Sequence, residues 1–296
     1  MTPQTPIFLE PEFLKKLERL RLIAKRLAWS AAKGEHPSAR RGFSLEFSDY
    51  RKYQSGDDLR YVDWNIYRRL ERLWLKLFTA EEEMNIYLLV DASRSMAEGN
   101  PPKLEYAKKV AAALGYIGLK NLDKVGGAGF TEDLVAPLSL GRGKKQILSL
   151  FSFLSALSSE GETGFSASMR SFTRLFPRPG LVVVLSDLFD PRGWRAGLEA
   201  LLAQRHDLLV IHVLDDGELS PAARGDLSLF DVESRRERRL FLDAALLARF
   251  QAEVEAYCGE IESFCRGRGV DYLRARTSVP FDEFVLLTLR EGRSVK

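Results

Sequence analysis

Three short segments hold oxygen-bearing side chains that can act together. The apolar run Asn85-Ile86-Tyr87-Leu88-Leu89-Val90 closes on Asp91, and Ser93 and Ser95 follow two and four residues later. A second apolar run, Leu181–Leu185, closes on Ser186 and Asp187 and continues to Asp190. Between them, Glu162-Thr163-Gly164 precedes a helical pattern. A hard cation such as Mg²⁺ takes six oxygen ligands in a near-octahedral array and keeps several waters. A carboxylate at a strand end, with two hydroxyls in the tight loop after it, supplies one face of that octahedron. Thr163 adds a hydroxyl from a neighbouring loop, and Asp187 a second carboxylate through water. Few formal charges then touch the cation, so it stays electrophilic and can accept an acidic side chain from another protein. The residue types suit Mg²⁺, with Mn²⁺ or Ca²⁺ as alternatives. A D-x-S-x-S run alone also suits helix capping. Three segments in order, each at an expected strand end or helix start, favour the cation.

The elements that must position these residues are readable from periodicity. Short apolar runs at Asn85–Val90, Val125–Phe130, Leu181–Leu185 and Leu208–Leu214 read as buried strands. Between and around them, Pro101 and Pro102 open a helix with Leu104, Ala107, Val110, Ala111, Leu114 and Ile117 on one face. Residues 144–157, 165–176 and 193–204 also read as helices. Alternating strands and helices predict an α/β fold with a doubly wound, mostly parallel sheet covered on both faces. Ligands of such sheets bind beyond the carboxyl ends of the strands, where Asp91 and Asp187 fall. The tail predicts a hairpin from Leu229–Val232 and Arg239–Leu242, a helix over 244–266, a strand at Val270–Ala275 and a last helix from 281.

Upstream, residues 10–33 predict an amphipathic helix, with Phe13, Leu14, Leu17, Leu20 and Leu27 on its apolar stripe. His36-Pro37-Ser38 ends it, and Leu73–Phe78 has a strand-like alternation. The expected division is a small module of helix and β structure over residues 1–83 and the sheet domain over 84–296. Charge follows the same line: residues 1–80 carry 16 Lys and Arg against 10 Asp and Glu, and the remaining chain carries 28 against 31. Neither field is strong enough to imply nucleic acid. With 45% hydrophobic and 29% charged residues, the 296-residue chain is an ordinary globular composition. It has no apolar window long enough to span a membrane and no secretory signal, so a cytoplasmic location is expected.

The order and spacing of Asp91, Ser93, Ser95, Thr163 and Asp187 resemble the metal-ion-dependent adhesion site of von Willebrand factor type A domains, over roughly residues 84–215. That resemblance implies a Rossmann-like sheet and assigns Asp91, Ser93 and Ser95 to the first metal motif, Thr163 to the second and Asp187 to the third. The upstream segment narrows the match. Arg41-Gly42-Phe43-Ser44-Leu45-Glu46-Phe47, Asp49-Tyr50-Arg51-Lys52-Tyr53, Gly56-Asp57-Asp58-Leu59-Arg60 and Val62-Asp63-Trp64 resemble the signature of the domain of unknown function 58 family. Lys76-Leu77-Phe78, Glu81 and Pro280-Phe281 continue it. Members carry a von Willebrand type A-like domain and are often encoded beside MoxR-type AAA+ ATPases. The resemblance therefore implies an adaptor whose partner is such an ATPase or its client.

Other motifs carry less. Gly141-Arg142-Gly143-Lys144-Lys145 lacks the spacing of a phosphate loop and reads as a helix start, and Gly126-Gly127-Ala128-Gly129 lies within a strand rather than between strand and helix. His212 reads as a sheet-face residue, Cys258 and Cys265 as buried thiols on one helical face, and Ser234–Arg239 as a solvated turn. Asp57, Asp58, Asp63 and Glu46 read as turn and cap residues pairing with Arg41, Arg51 and Arg60, with a docking surface or second cation site as the alternative. The expected function is a non-enzymatic, divalent-metal-dependent interaction module. The alternative is a metal-dependent hydrolase or phosphotransferase in the same crevice, with Asp187 or Asp190 positioning water.

Overall fold

The computed structural model describes residues 7–32, 45–54, 56–80, 84–219, 225–230 and 237–291. It falls into two compact units, Met1–Ala28 with Met84–Lys296, and Trp29–Glu83. The first unit opens with a single 3₁₀ turn, Ile7–Leu9, and α1 (Pro11–Ala32). The division thus leaves the first helix, as far as Ala28, with the sheet rather than with the signature segment. The reason is packing: Phe8, Phe13, Leu17, Leu20 and Ala24 join the same hydrophobic cluster as the sheet. An amphipathic pattern states that a helix must bury one face, but not against what.

The second unit holds β1 (Leu45–Lys52), α2 (Trp64–Leu70) and β2 (Trp74–Ala80), with β1 and β2 paired antiparallel. Three of its acidic residues hold turns or caps, whereas Glu46, expected in the same set, lies within β1 opposite Thr79. Asp57 accepts from the Gln54 amide at 2.8 Å and pairs with Arg51 at 2.9 Å. Asp58 accepts from the Arg60 amide at 3.0 Å and from its guanidinium. Asp63 caps α2, accepting from the amides of Asn65 (2.9 Å) and Ile66 (3.2 Å), and also takes the Tyr50 hydroxyl (2.9 Å) and Lys76 (3.1 Å). The turn-and-cap reading therefore describes these three acids. Arg41 to Ser44 and Glu81 of the signature, and residues 231–236 of the charged turn, lie outside the described residues.

Desolvation would push the Asp63 carboxyl up, but Lys76, Tyr50 and the two amides outweigh it and hold it down to about 2. A depressed carboxyl stabilises the fold above its ordinary value of 3.8, and that contribution disappears as pH falls through about 2. Asp63→Ala is expected to strip hydrogen-exchange protection from the first turn of α2 at neutral pH. Unchanged protection at Asn65 and Ile66 would refute the capping role.

From Met84 the chain builds the sheet in sequence: β3 (Asn85–Asp91), α3 (Lys103–Lys120), β4 (Lys124–Phe130), β5 (Leu134–Gly141), α4 (Gly143–Ala156), α5 (Phe165–Leu175), β6 (Leu181–Ser186), α6 (Arg195–Ala203), β7 (Asp207–Leu214) and a short α7 (Asp216–Leu219). A separate hairpin, β8 (Gly225–Phe230) with β9 (Glu237–Leu242), precedes α8 (Ala244–Arg266), β10 (Asp271–Arg276) and α9 (Phe281–Glu291). The six-stranded sheet has the order β10-β7-β6-β3-β4-β5, parallel except for the β5 edge. Side chains alternate faces, as a strand requires. Ile86, Leu88 and Val90 pack with α1, α3, α4 and α9, while Tyr87 and Leu89 pack with α5, α6 and α8.

The glycine run in β4 has a packing explanation. A Cβ on Gly127, whose φ is +150°, would lie 2.0 Å from the Leu88 carbonyl oxygen of β3. One on Gly126 would lie 2.8 Å from the Leu138 carbonyl oxygen of β5. Close backbone approach on two sides leaves room only for hydrogen.

Candidate metal centre

The sheet order reverses direction between β3 and β6: from β3 the chain moves outward through β4, and from β6 outward through β7 to β10. Ligand crevices of open α/β sheets lie at such a switch point, beyond the carboxyl ends. The register pairs Val90 with Leu185, so Asp91 and Ser186 leave the sheet side by side. Ser186 donates its hydroxyl to Asp91 Oδ2 at 2.5 Å and accepts from the Leu188 amide at 2.8 Å. Asp91 Oδ1 accepts from the Ser93 amide at 2.9 Å. Ser93 then opens a 3₁₀ turn, Arg94–Ala97, anchored by buried Met96.

The Ser93 and Ser95 hydroxyl oxygens stand 3.1 Å apart. That is a hydrogen-bond distance, and equally the spacing of two adjacent oxygen ligands on Mg²⁺, roughly 3 Å for metal–oxygen bonds near 2.1 Å at right angles. Thr163 reaches the same region through its loop. Glu160 N–H donates to the Ala92 carbonyl at 2.9 Å, and Arg94 N–H to the Gly161 carbonyl at 3.0 Å. Thr163 itself is buried, and its carbonyl accepts from the Arg192 guanidinium. The five expected residues thus come from loops tied together at one end of the sheet, with Asp91, Ser93, Thr163 and Asp187 buried and Ser95 half-buried.

Asp187 Oδ1 accepts from the Phe189 amide at 3.1 Å, and its Oδ2 from Lys103 Nζ at 2.8 Å. Lys103 also donates to Glu218 Oε1, at the start of the chain segment beyond β7. His212 Nε2 lies 2.8 Å from the Asp187 carbonyl oxygen, and its Nδ1 lies 2.7 Å from the Tyr272 hydroxyl. Burial lowers the His212 pKa to about 4, so the ring is neutral near pH 7. Burial first, and the Asp187 charge second, push the Asp91 carboxyl up to about 7.

Leu188 follows with φ at +57° although it has a side chain. A left-handed leucine costs roughly 1–2 kcal/mol. Its buried side chain sits in the cluster with Phe165, Trp194 and Leu198, and the Tyr257 hydroxyl of α8 donates to its carbonyl at 2.6 Å.

The donor set fits a divalent cation. Asp91, Asp187 and Glu218 set three carboxylates against one ammonium, Lys103, in one linked network. When all are ionised the excess is two negative charges, which one divalent cation balances. Among the described residues no group of three or more His, Cys, Asp or Glu is placed to hold a metal ion, so a cation here would depend on hydroxyl ligands beside the two aspartates.

Ser186, Lys103, Glu218 and His212 were not among the residues expected from sequence. Ser186 closes its apolar run as any polar residue would. Lys103 does leave a signal: it is the first residue of α3, where the helix dipole disfavours a cation. Such a lysine needs an external reason.

A family model, described as protein of unknown function DUF58, matches residues 49–257. The chain belongs to that family. Relatives in the family's range include the uncharacterised protein Rv1480 of Mycobacterium tuberculosis, 28% identical over 276 residues, covering 90% of this chain and 86% of that protein. An uncharacterised protein of Mycobacterium avium is 33% identical over 100 residues, 34% of this chain and 59% of that protein. Similar solved structures include the conserved hypothetical protein BatB from Bacteroides thetaiotaomicron, with 17% identity and a TM-score of 0.45 over 71% of this chain and 99% of that one. An aerotolerance-related membrane protein from Bacteroides fragilis gives 18% identity and a TM-score of 0.43, over 70% and 99%. In this DUF58 chain, no helix among the described residues is long and apolar enough to cross a membrane.

Proposed function

We propose that this DUF58 protein is a divalent-metal-dependent protein-interaction module with a von Willebrand factor type A-like sheet domain. Asp91, Ser93, Ser95, Thr163 and Asp187 would hold the cation, Mg²⁺ in the first instance. When bound, the cation supplies an electrophilic position to which a partner's carboxylate can bind. The observation that carries the reading is the meeting, at the β3/β6 switch point, of two buried carboxylates with the Ser93 and Ser95 hydroxyls of the β3 loop, to which the Thr163 loop is tied. The protein residues orient the donors: Ser186 and the Ser93 amide fix Asp91, and the Phe189 amide and Lys103 fix Asp187.

The partner proposed is a MoxR-type AAA+ ATPase or its client, with this protein as adaptor in assembly or maturation. Immobilised protein is expected to retain such an ATPase in Mg²⁺ and release it in chelator, while Asp91→Ala retains none. Retention that survives both chelator and Asp91→Ala sinks the metal-bridging reading. The alternative, a metal-dependent hydrolase or phosphotransferase with Asp187 or Asp190 positioning water, has its weaker case at Asp190. His212 has both ring nitrogens engaged, and Asp190 is committed to the Phe165 amide (2.8 Å) and the Arg192 amide (2.8 Å).

A further inference from the structure

We propose that Lys103 is a resident cation of this centre, and that its charge, shared between Asp187 and Glu218, sets how tightly a divalent cation binds. The inference rests on the metal-centre reading and extends it to regulation of the same site. Lysine is almost never fully buried unless paired, because its flexible stem normally carries the ammonium to water. Lys103 is 0% exposed. Its Nζ lies 2.8 Å from Asp187 Oδ2, bonds Glu218 Oε1 and sits 5.7 Å from the centroid of the Phe189 ring. Nothing local favours it there, since it begins α3 at the positive end of the helix dipole. Its placement is therefore explained by its two carboxylate partners.

Those partners are not equivalent. Asp187 belongs to the centre and is fully buried, with both carboxylate oxygens already in protein bonds. Glu218 is outside the five-residue set and its side chain is 26% exposed. It also accepts from the Asp215 amide at 2.9 Å, which holds it at the end of β7. An ammonium on Asp187 repels a divalent cation approaching the same carboxylate, and burial strengthens that repulsion. Glu218 offsets part of it by drawing Lys103 charge away from Asp187. Lys103 thus keeps the carboxylates apart in charge without a metal, and limits affinity when one binds.

The two partners predict effects of opposite sign. Calorimetric titration of Mg²⁺, with Mn²⁺ spin resonance as a direct count of bound ions, is expected to show Lys103→Met binding roughly tenfold or more tighter than wild type. Glu218→Gln should bind weaker by a similar factor, and Asp91→Ala should not bind. Circular dichroism checks the fold of each variant. If wild type binds but folded Lys103→Met binds equally or more weakly, the resident-cation role is overturned and the metal reading stands. If neither binds either ion, both fail. Binding by Lys103→Met alone supports the resident cation outright. Should Lys103→Met not fold, partly exposed Glu218→Gln decides: affinity equal to or tighter than wild type overturns the proposal.

Discussion

Asp91→Asn is expected to abolish Mg²⁺ binding while making the metal-free protein more stable. The substitution is nearly isosteric. Its amide oxygen can still accept from the Ser93 amide, and its NH₂ can donate to the Ser186 oxygen that now donates to Asp91. Loss of the anionic ligand should cost at least about 100-fold in affinity. The stability gain follows from linkage. Burial and the Asp187 charge hold the folded-state pKa of Asp91 up at about 7, against an ordinary value of 3.8. The favourable protonated state is therefore fully present below the ordinary value and lost as pH rises through the folded one. In chelator, wild type and Asp91→Asn should melt together in acid and diverge as pH rises toward about 7, by an order of a few kcal/mol. Saturating Mg²⁺ should then raise the melting temperature of wild type only. Matching melting curves across the whole pH range would show that Asp91 carries no such penalty.

Gly127→Ala is expected to have the largest effect on stability. The new Cβ would sit 2.0 Å from the Leu88 carbonyl oxygen, and backbone in the middle of a sheet cannot step aside as a flexible side chain can. The substituted strand must leave either β3 or its own conformation, at roughly 3 kcal/mol or more. Because β3 carries Asp91 at its end, the folded fraction that survives should also bind Mg²⁺ more weakly. Denaturant unfolding measures the first effect and calorimetry the second. Wild-type midpoint and affinity would show that β4 tolerates a side chain here.

The sheet was legible because its central strands are almost wholly apolar. Runs such as Leu181–Leu185 and Leu208–Leu214 have nowhere to go but a doubly covered sheet. The carboxylates closing β3 and bordering β6 were legible for the complementary reason, that charge following such a run must lie at its edge. The β1 strand was not read individually, since Leu45–Lys52 mixes apolar with charged residues. Nor was α2, only seven residues long and marked chiefly by its Asp63 cap. Within the centre, the hidden members are those whose role depends on a distant partner. Ser186 matters through Asp91, 95 positions away, and Lys103 through Asp187, 84 positions away. Periodicity has no access to such pairs.

Leu188 bears on what braces the Asp187 loop from outside. Its left-handed backbone is a loaded latch, and part of what keeps it closed is Tyr257, 69 residues further along the chain. The Phe189 ring beside it stacks on the same tyrosine at 5.5 Å. The backbone that carries Asp187 is thus braced by a helix that contributes none of the five oxygen-bearing residues.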